Sequence, residues 1–221
     1  SDIFVSTGQA PRMRVDGRLE TLDVAIDDGE LAATVAALGN SSDGSLEIQG
    51  TRLHIDAFDH LNGAGIAARL VRERVPSLGE LGFPSEVAST LASLVELRDG
   101  LVLVCGSTGS GKSTTLAALI DLLDQKRSAH VITLEDPIEY RFAARRCLVH
   151  QRELGTHMAT FAAGLKAALR EAPDVILLGE LRDRETIAAA LTAAETGHLV
   201  MATLHAPSAI GAIDRLIDAF H

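Results

Sequence analysis

Between Gly106 and Thr114 the sequence reads GSTGSGKST, a glycine-rich stretch that ends in a lysine and two hydroxyls. At the spacing G-x-x-x-x-G-K-[ST], such residues hold the phosphates of a nucleotide. Glycines let successive backbone N–H groups turn inward around phosphate oxygens, and a helix that starts there aims its positive end at the same charge. Gly106, Ser107, Thr108, Gly109, Ser110 and Gly111 make the loop, Lys112 is placed to reach the β- and γ-phosphates, and Ser113 to ligate magnesium. Proteins with this loop usually keep an Asp at the end of a second apolar strand, where it helps hold the metal. Here Val175-Ile176-Leu177-Leu178 runs instead into Gly179 and Glu180. Glu180 orients or deprotonates an attacking water, while Glu135 or Asp136 completes the magnesium shell through waters, which Mg²⁺ tolerates because it keeps several of its own. His205 follows a further apolar run and is placed to donate a hydrogen bond to the γ-phosphate. His198 precedes that run, so on geometry it belongs at the far edge, as much a structural histidine as a functional one.

These residues need a frame that brings them together. From Leu101 onward the rhythm is apolar strand, loop, helix, repeated. It predicts strands at 101–105, 131–134, 175–178 and 199–204, and helices at 113–125, 160–171, 184–195 and 208–219. Continuous apolar strands alternating with helices mean a doubly wound α/β sheet, parallel at least in its core. In such sheets ligands bind beyond the carboxyl ends of the strands. Glu135-Asp136-Pro137-Ile138-Glu139, Glu180 and His205 each follow one strand and therefore converge on the phosphate loop.

Before a seam near residues 76–100 the pattern is different. Arg12–Val15 with turn Asp16-Gly17 and Arg18-Leu19, then Leu46–Ile48 with turn Gly50-Thr51 and Leu53–Ile55, read as hairpins. The segment 28–38 is Ala-rich with an acidic start and a stop at Gly39-Asn40, as a helix should be, and 40–44 is a loop. The sequence thus divides into a small α+β domain over 1–80, a linker with a connecting helix over 81–100 (Ser85 to Leu97, with Ser85 as N-cap), and the phosphate-loop domain over 101–221.

The 221 residues are 47% hydrophobic and 23% charged, which marks a globular chain. No apolar run approaches the roughly 18 residues that span a bilayer. The net charge of −10 repels phosphate polymers, and with only 3% aromatic residues there are few platforms for stacking bases. Nucleic acid is therefore not the expected partner; protein is. Cys105 and Cys147 cannot form a CxxC metal site and read as free or buried thiols of a reducing compartment.

The order GSTGSGKSTT, ITLEDPIEY, LLGELRDRETIAAALTAAETGHLVMATLHA resembles the secretion ATPase superfamily of type IV pili and type II secretion. Its four boxes, the phosphate loop, an aspartate box, an atypical strand-end motif with Glu in place of Asp, and a histidine box, occur here in order. The resemblance extends over essentially the whole sequence, and CLVHQRELG and AIDRLIDAF are more similar to the pilus-retraction (twitching motility, PilT-type) branch. It implies a RecA-like phosphate-loop domain preceded by a small PAS-like α+β domain, and a hexameric ring that hydrolyses ATP with Mg²⁺. That ring would sit peripherally on the cytoplasmic face of a bacterial inner membrane, against a platform protein. Carried over by position, Thr114 joins the phosphate-binding set, Glu135, Asp136 and Glu139 form the aspartate box, Glu180 is the catalytic glutamate, and His198 and His205 are the histidine-box pair. The resemblance also brings Arg52 and Arg69 from the first domain toward the γ-phosphate, with Asn62 standing where a third arginine is often found. Retraction ATPases continue into a C-terminal helical domain, whereas this sequence stops at His221, which implies a further region.

Two other readings share these boxes. One is the ATPase of a related type II or type IV secretion machine. The other is a nucleotide-dependent interaction switch without useful turnover, against which Glu180 and the lack of an N-K-x-D stretch both speak.

Overall fold

The computed structural model describes residues 2–15, 17–37, 43–48, 51–72 and 74–220. They form two compact units, Ser1–Val71 and Arg72–His221. The first contains β1 (Asp2–Ser6), β2 (Arg12–Val15), β3 (Arg18–Thr21), α1 (Asp28–Ala37), β4 (Asp43–Ile48), β5 (Thr51–His60) and β6 (Gly63–Leu70). Its six strands lie in the order β3-β2-β1-β6-β5-β4, and every pairing is antiparallel. Ile55, Ile66 and Ala68 alternate inward and pack with Leu31 of α1, which covers one face of the sheet. The expected hairpins are β2–β3 and β4–β5. The expected turn residues Asp16 and Gly50, the helix stop Gly39-Asn40 and loop residues 40–42 lie outside the described residues.

In the second unit, α2 (Ser85–Leu94) leads to β7 (Gly100–Cys105), α3 (Lys112–Lys126), β8 (His130–Glu135), β9 (Leu148–Glu153), α4 (Phe161–Ala168), β10 (Val175–Leu178), α5 (Arg184–Glu195), β11 (Leu199–Leu204) and α6 (Ala209–Asp218). The five strands form one parallel sheet in the order β7-β11-β10-β8-β9. Parallel strands must be covered on both faces, because the crossover helices lie there. On one face Leu116, Leu119, Ile120 and Leu123 of α3 pack on Val131, Val175 and Met201. On the other, Leu165 of α4 and Ile187 and Ala190 of α5 pack on Ile132, Ile176 and Val200. The fold is α/β and doubly wound.

Helix starts follow their caps. Thr160 accepts from Ala163 N at 3.1 Å, Asp183 from Thr186 N at 2.8 Å and Ser208 from Gly211 N at 3.1 Å. Ser85 does not cap α2: it is already the first helical residue, and the extended Pro84 occupies the cap position without a side-chain hydrogen bond. That helix also ends at Leu94 rather than Leu97. Among the described residues no helix is long and apolar enough to cross a membrane. Cys105 and Cys147 are free thiols.

Candidate active site

The loop 106–111 joins the end of β7 to the start of α3. Gly109 and Gly111 have φ of 76° and 92°, in the left-handed region that glycine enters without strain. Gly111 is the N-cap residue of α3 and no side chain caps that end, which leaves the first N–H groups of the helix for an anion. Lys112 is buried, and its Nζ donates to Ser107 O at 3.0 Å. A phosphate oxygen in the loop would be a stronger acceptor for that ammonium than a carbonyl. The next two hydroxyls are tied to the segment after β8: Ser113 Oγ donates to Glu139 Oε1 at 3.0 Å, and Thr114 Oγ1 lies 3.1 Å from Tyr140 Oη.

Glu135 closes β8 and is buried. Burial pushes its carboxyl up to about 7, against hydrogen bonds from Thr133 Oγ1 at 2.6 Å and Gln151 Nε2 at 3.2 Å. The nearby charge of Glu139 raises it further. Asp136 follows, with a cis peptide bond to Pro137. Two strands away in sequence but adjacent in the sheet, β10 delivers Glu180 to the same edge. Gly179 makes that approach possible: its N–H donates to Leu134 O at 2.7 Å, and a Cβ there would lie 3.3 Å from both Glu135 Cα and Leu134 O. Thr203 of β11 anchors the other side by donating from its hydroxyl to Gly179 O. Glu180 Oε2 accepts from Arg182 Nε at 2.8 Å, and His205 Nε2 lies 3.5 Å from Glu180 Oε1. Arg215 in turn donates to His205 O at 2.7 Å.

The acceptors at this edge, Ser113, Glu135, Asp136, Glu139 and Glu180, are all hard oxygen donors, as Mg²⁺ requires. Among the described residues no three acidic, histidine or cysteine side chains are set as a ready metal cage.

The structure thus brings Gly106 to Thr114, Glu135, Asp136, Glu139, Glu180 and His205 to the carboxyl edge of one sheet. It does not bring His198 there. His198 precedes β11, at the amino edge, and its backbone N–H and its Nδ1 lie 3.2 Å and 3.0 Å from Ala193 O in the last turn of α5. A parallel strand puts its two flanking histidines at opposite edges, so His198 meets the end of α5 rather than the phosphate loop. Arg52 and Arg69 lie in the first unit, on β5 and β6. His54 pairs with Arg69 across these strands, so Arg52, two residues from His54, shares its sheet face with Arg69. Arg69 Nε donates to Asp2 Oδ1 at 2.8 Å.

Several residues at this site carry no sequence expectation. Gln151 donates both to Glu135 and to Tyr140 O, the latter at 2.8 Å, and accepts from Phe142 N at 3.1 Å. Glu153 Oε2 accepts from Ile138 N at 3.0 Å. Both stand on β9 and pin the segment after β8 that carries Asp136 and Glu139. Arg182 joins Glu180 to Asp136, whose Oδ2 lies 3.3 Å from its Nη1. Its place two residues after Glu180 is visible in GELRD, but its second partner is not.

Residues 41–219 match the family described as type II/IV secretion system protein. The chain is 47% identical to the protein YggR of Escherichia coli K12, over 100% of this chain and 69% of that one. It is 41% identical to the type IV pilus retraction ATPase PilT of Pseudomonas aeruginosa, over 100% of this chain and 67% of that one. A crystal structure of the pilus retraction motor PilT with bound ADP matches it with a TM-score of 0.88 at 41% identity, covering 100% of this chain and 67% of the other. The chain therefore spans about two thirds of the length of these relatives.

Proposed function

Because this chain belongs to the type II/IV secretion system protein family, we propose that it is a Mg²⁺-dependent ATPase and that its work is type IV pilus retraction. The observation that carries the hydrolytic reading is the convergence of the phosphate loop, Glu135 with Asp136, Glu180 and His205 on one sheet edge. In the reaction the loop N–H groups and Lys112 hold the β- and γ-phosphates, so the chain's own dipoles and one ammonium meet the charge that builds up. Glu180 orients the attacking water and accepts its proton. His205 donates to a γ-phosphate oxygen and, through Glu180, registers its loss. Ser113 and, through waters, Glu135 would hold Mg²⁺, which when bound would offset negative charge on the phosphates. Gln151, Glu153 and Gly179 position these groups without touching the nucleotide.

The pilus assignment rests on the 41% identity to a retraction ATPase along the whole chain. The family description spans both type II and type IV systems, so a secretion machine is the second reading, with the same chemistry and another partner. Following the family, we take the working form to be a homohexameric ring on the cytoplasmic side of the inner membrane, acting on a platform protein. Arg52 and Arg69 would serve it as charge-stabilising arginines, because a guanidinium stays protonated and forks onto phosphate.

The test is steady-state phosphate release with ATP and Mg²⁺ against protein concentration, alongside Glu180→Gln. Release rising more steeply than concentration is expected from an assembling motor. The variant should still bind ATP and lose about 10² to 10⁴ in turnover, the usual worth of a general base. Tight ATP binding by wild type with no more release than the variant would overturn the enzyme reading in favour of a switch.

A further inference from the structure

Arg182 is a charged group at this edge that the hydrolytic chemistry does not use. Its Nε is 2.8 Å from Glu180 Oε2 and its Nη1 is 3.3 Å from Asp136 Oδ2, so one guanidinium spans acids delivered by two strands, β10 and β8. Like charges brought this close need a cation between them. On the opposite side of Glu180, His205 Nε2 faces Oε1 at 3.5 Å. Oε2 of Glu180 is therefore engaged by Arg182, and an acceptor in use is a poorer base for water. The hydrogen bond to Glu180, only partly offset by desolvation, holds Arg182 more firmly protonated than a free arginine, with the charges of Glu180 and Asp136 adding to it. Yet the Arg182 side chain is 56% exposed whereas that of Glu180 is 18% exposed. The clasp is thus made from the rim, where ion pairs are weak and easily exchanged.

We propose that Arg182 is a clamp: it bridges Glu180 and Asp136 and gives way to a divalent cation that enters with the nucleotide. This inference rests on the ATPase reading and adds a rule to it, that Glu180 is released for catalysis only in a loaded site. Arg182 is a positioning residue in this scheme, since it acts through Glu180. Asp136, one of the two acids Arg182 holds, is also one a cation would attract, so guanidinium and cation compete there, and removing the guanidinium favours the cation. Lysine, a point charge that cannot fork across two acids, falls between arginine and an uncharged residue.

The experiment compares wild type, Arg182→Gln and Arg182→Lys for binding of Mn²⁺ in the presence of a non-hydrolysable ATP analogue, read by electron paramagnetic resonance. Arg182→Gln is expected to tighten Mn²⁺ binding about two- to fivefold, the range that exposed ion pairs allow, with Arg182→Lys intermediate. Turnover at limiting Mg²⁺ should rise by a similar factor. Unchanged or weaker Mn²⁺ binding in Arg182→Gln overturns the clamp. So does a tenfold or greater fall in turnover at saturating Mg²⁺, which would place Arg182 on the phosphate itself. If no form of the chain releases phosphate, the enzyme reading fails by itself, and the Mn²⁺ comparison still decides the clamp.

Discussion

Replacing Glu135 by Gln should make the empty protein more stable and the enzyme inactive, with a pH dependence that identifies the cause. Burial pushes this carboxyl from 4.5 to about 7, with Thr133 and Gln151 pulling it down and Glu139 pushing it up. The folded state thus binds the proton more tightly than the unfolded chain does, so ionisation costs stability. Nothing is lost below pH 4.5, the cost grows between 4.5 and about 7, and it is complete above that. The interval of about two and a half pH units amounts to about 3 kcal/mol at ~1.4 kcal/mol per unit. Glutamine cannot ionise, and its carbonyl can still accept from Thr133 and Gln151. In EDTA without nucleotide, the variant should melt with wild type near pH 4.5 and about 6–12 °C above it at pH 8, given a few degrees per kcal/mol for a domain of this size. Thermal unfolding by circular dichroism at the two pH values is sufficient. A gap of the same size at both, or none at pH 8, would refute the reasoning that Glu135 is a buried ionising group. Phosphate release should fall at least a hundredfold in the same variant, since the carboxylate disfavoured in the empty site is the one the loaded site uses.

His198→Gln should leave turnover within about threefold and cost about 1 kcal/mol in melting experiments through its lost contact with Ala193 O, whereas His205→Gln should cost at least ten- to a hundredfold in turnover. The reverse order in a phosphate-release assay would place His198 at the nucleotide. Asp124 is buried and accepts from the N–H groups of Arg145, Arg146 and Cys147 at 2.7–2.9 Å. Asp124→Ala should therefore destabilise by about 3 kcal/mol or more in urea titrations, one unmet donor after another. Although burial opposes it, the Cys147, Arg146 and Arg145 N–H groups hold the Asp124 carboxyl below its ordinary 3.8. Its contribution is present above pH 3.8 and is lost as pH falls through the lower folded value, so the gap between wild type and variant should close in acid. A gap that persists there would mean the loss is one of packing.

Some elements were legible to the residue. β10, β11 and α5 have the predicted bounds, because central parallel strands are unbroken apolar runs and Asp183 marks a helix start unmistakably. β9 was not legible: Leu148–Glu153 is mostly polar and does not alternate, as an edge strand with one parallel neighbour allows, and nothing in LVHQRE distinguishes it from loop. With that strand went Gln151 and Glu153, the residues that steady the segment after β8. β6 was hidden for another reason, since GAGIAARL lacks the β-branched run that announces a strand, even though it lies at the middle of its sheet. The acids of the site were legible because each follows its own strand. Their pairing was not, since Arg182 reaches Asp136 only because β10 lies beside β8, and strand order is a property of the whole sheet rather than of any local stretch.

The crowding at Gly179 bears on how this site can change over generations. An acid at 179, the position directly after the strand, would place its Cβ 3.3 Å from the backbone at Leu134 and Glu135, so the neighbouring strand end would have to yield before such a side chain fitted. Moving the acid from 180 to 179 by single substitutions passes through either a crowded intermediate or one with no acid at all. The two layouts, Asp at the strand end and Glu one residue beyond a glycine, are therefore separate peaks rather than neighbouring variants. A lineage that has Gly-Glu can refine the residues around it, but a return to the other arrangement requires the backbone of β8 to move first.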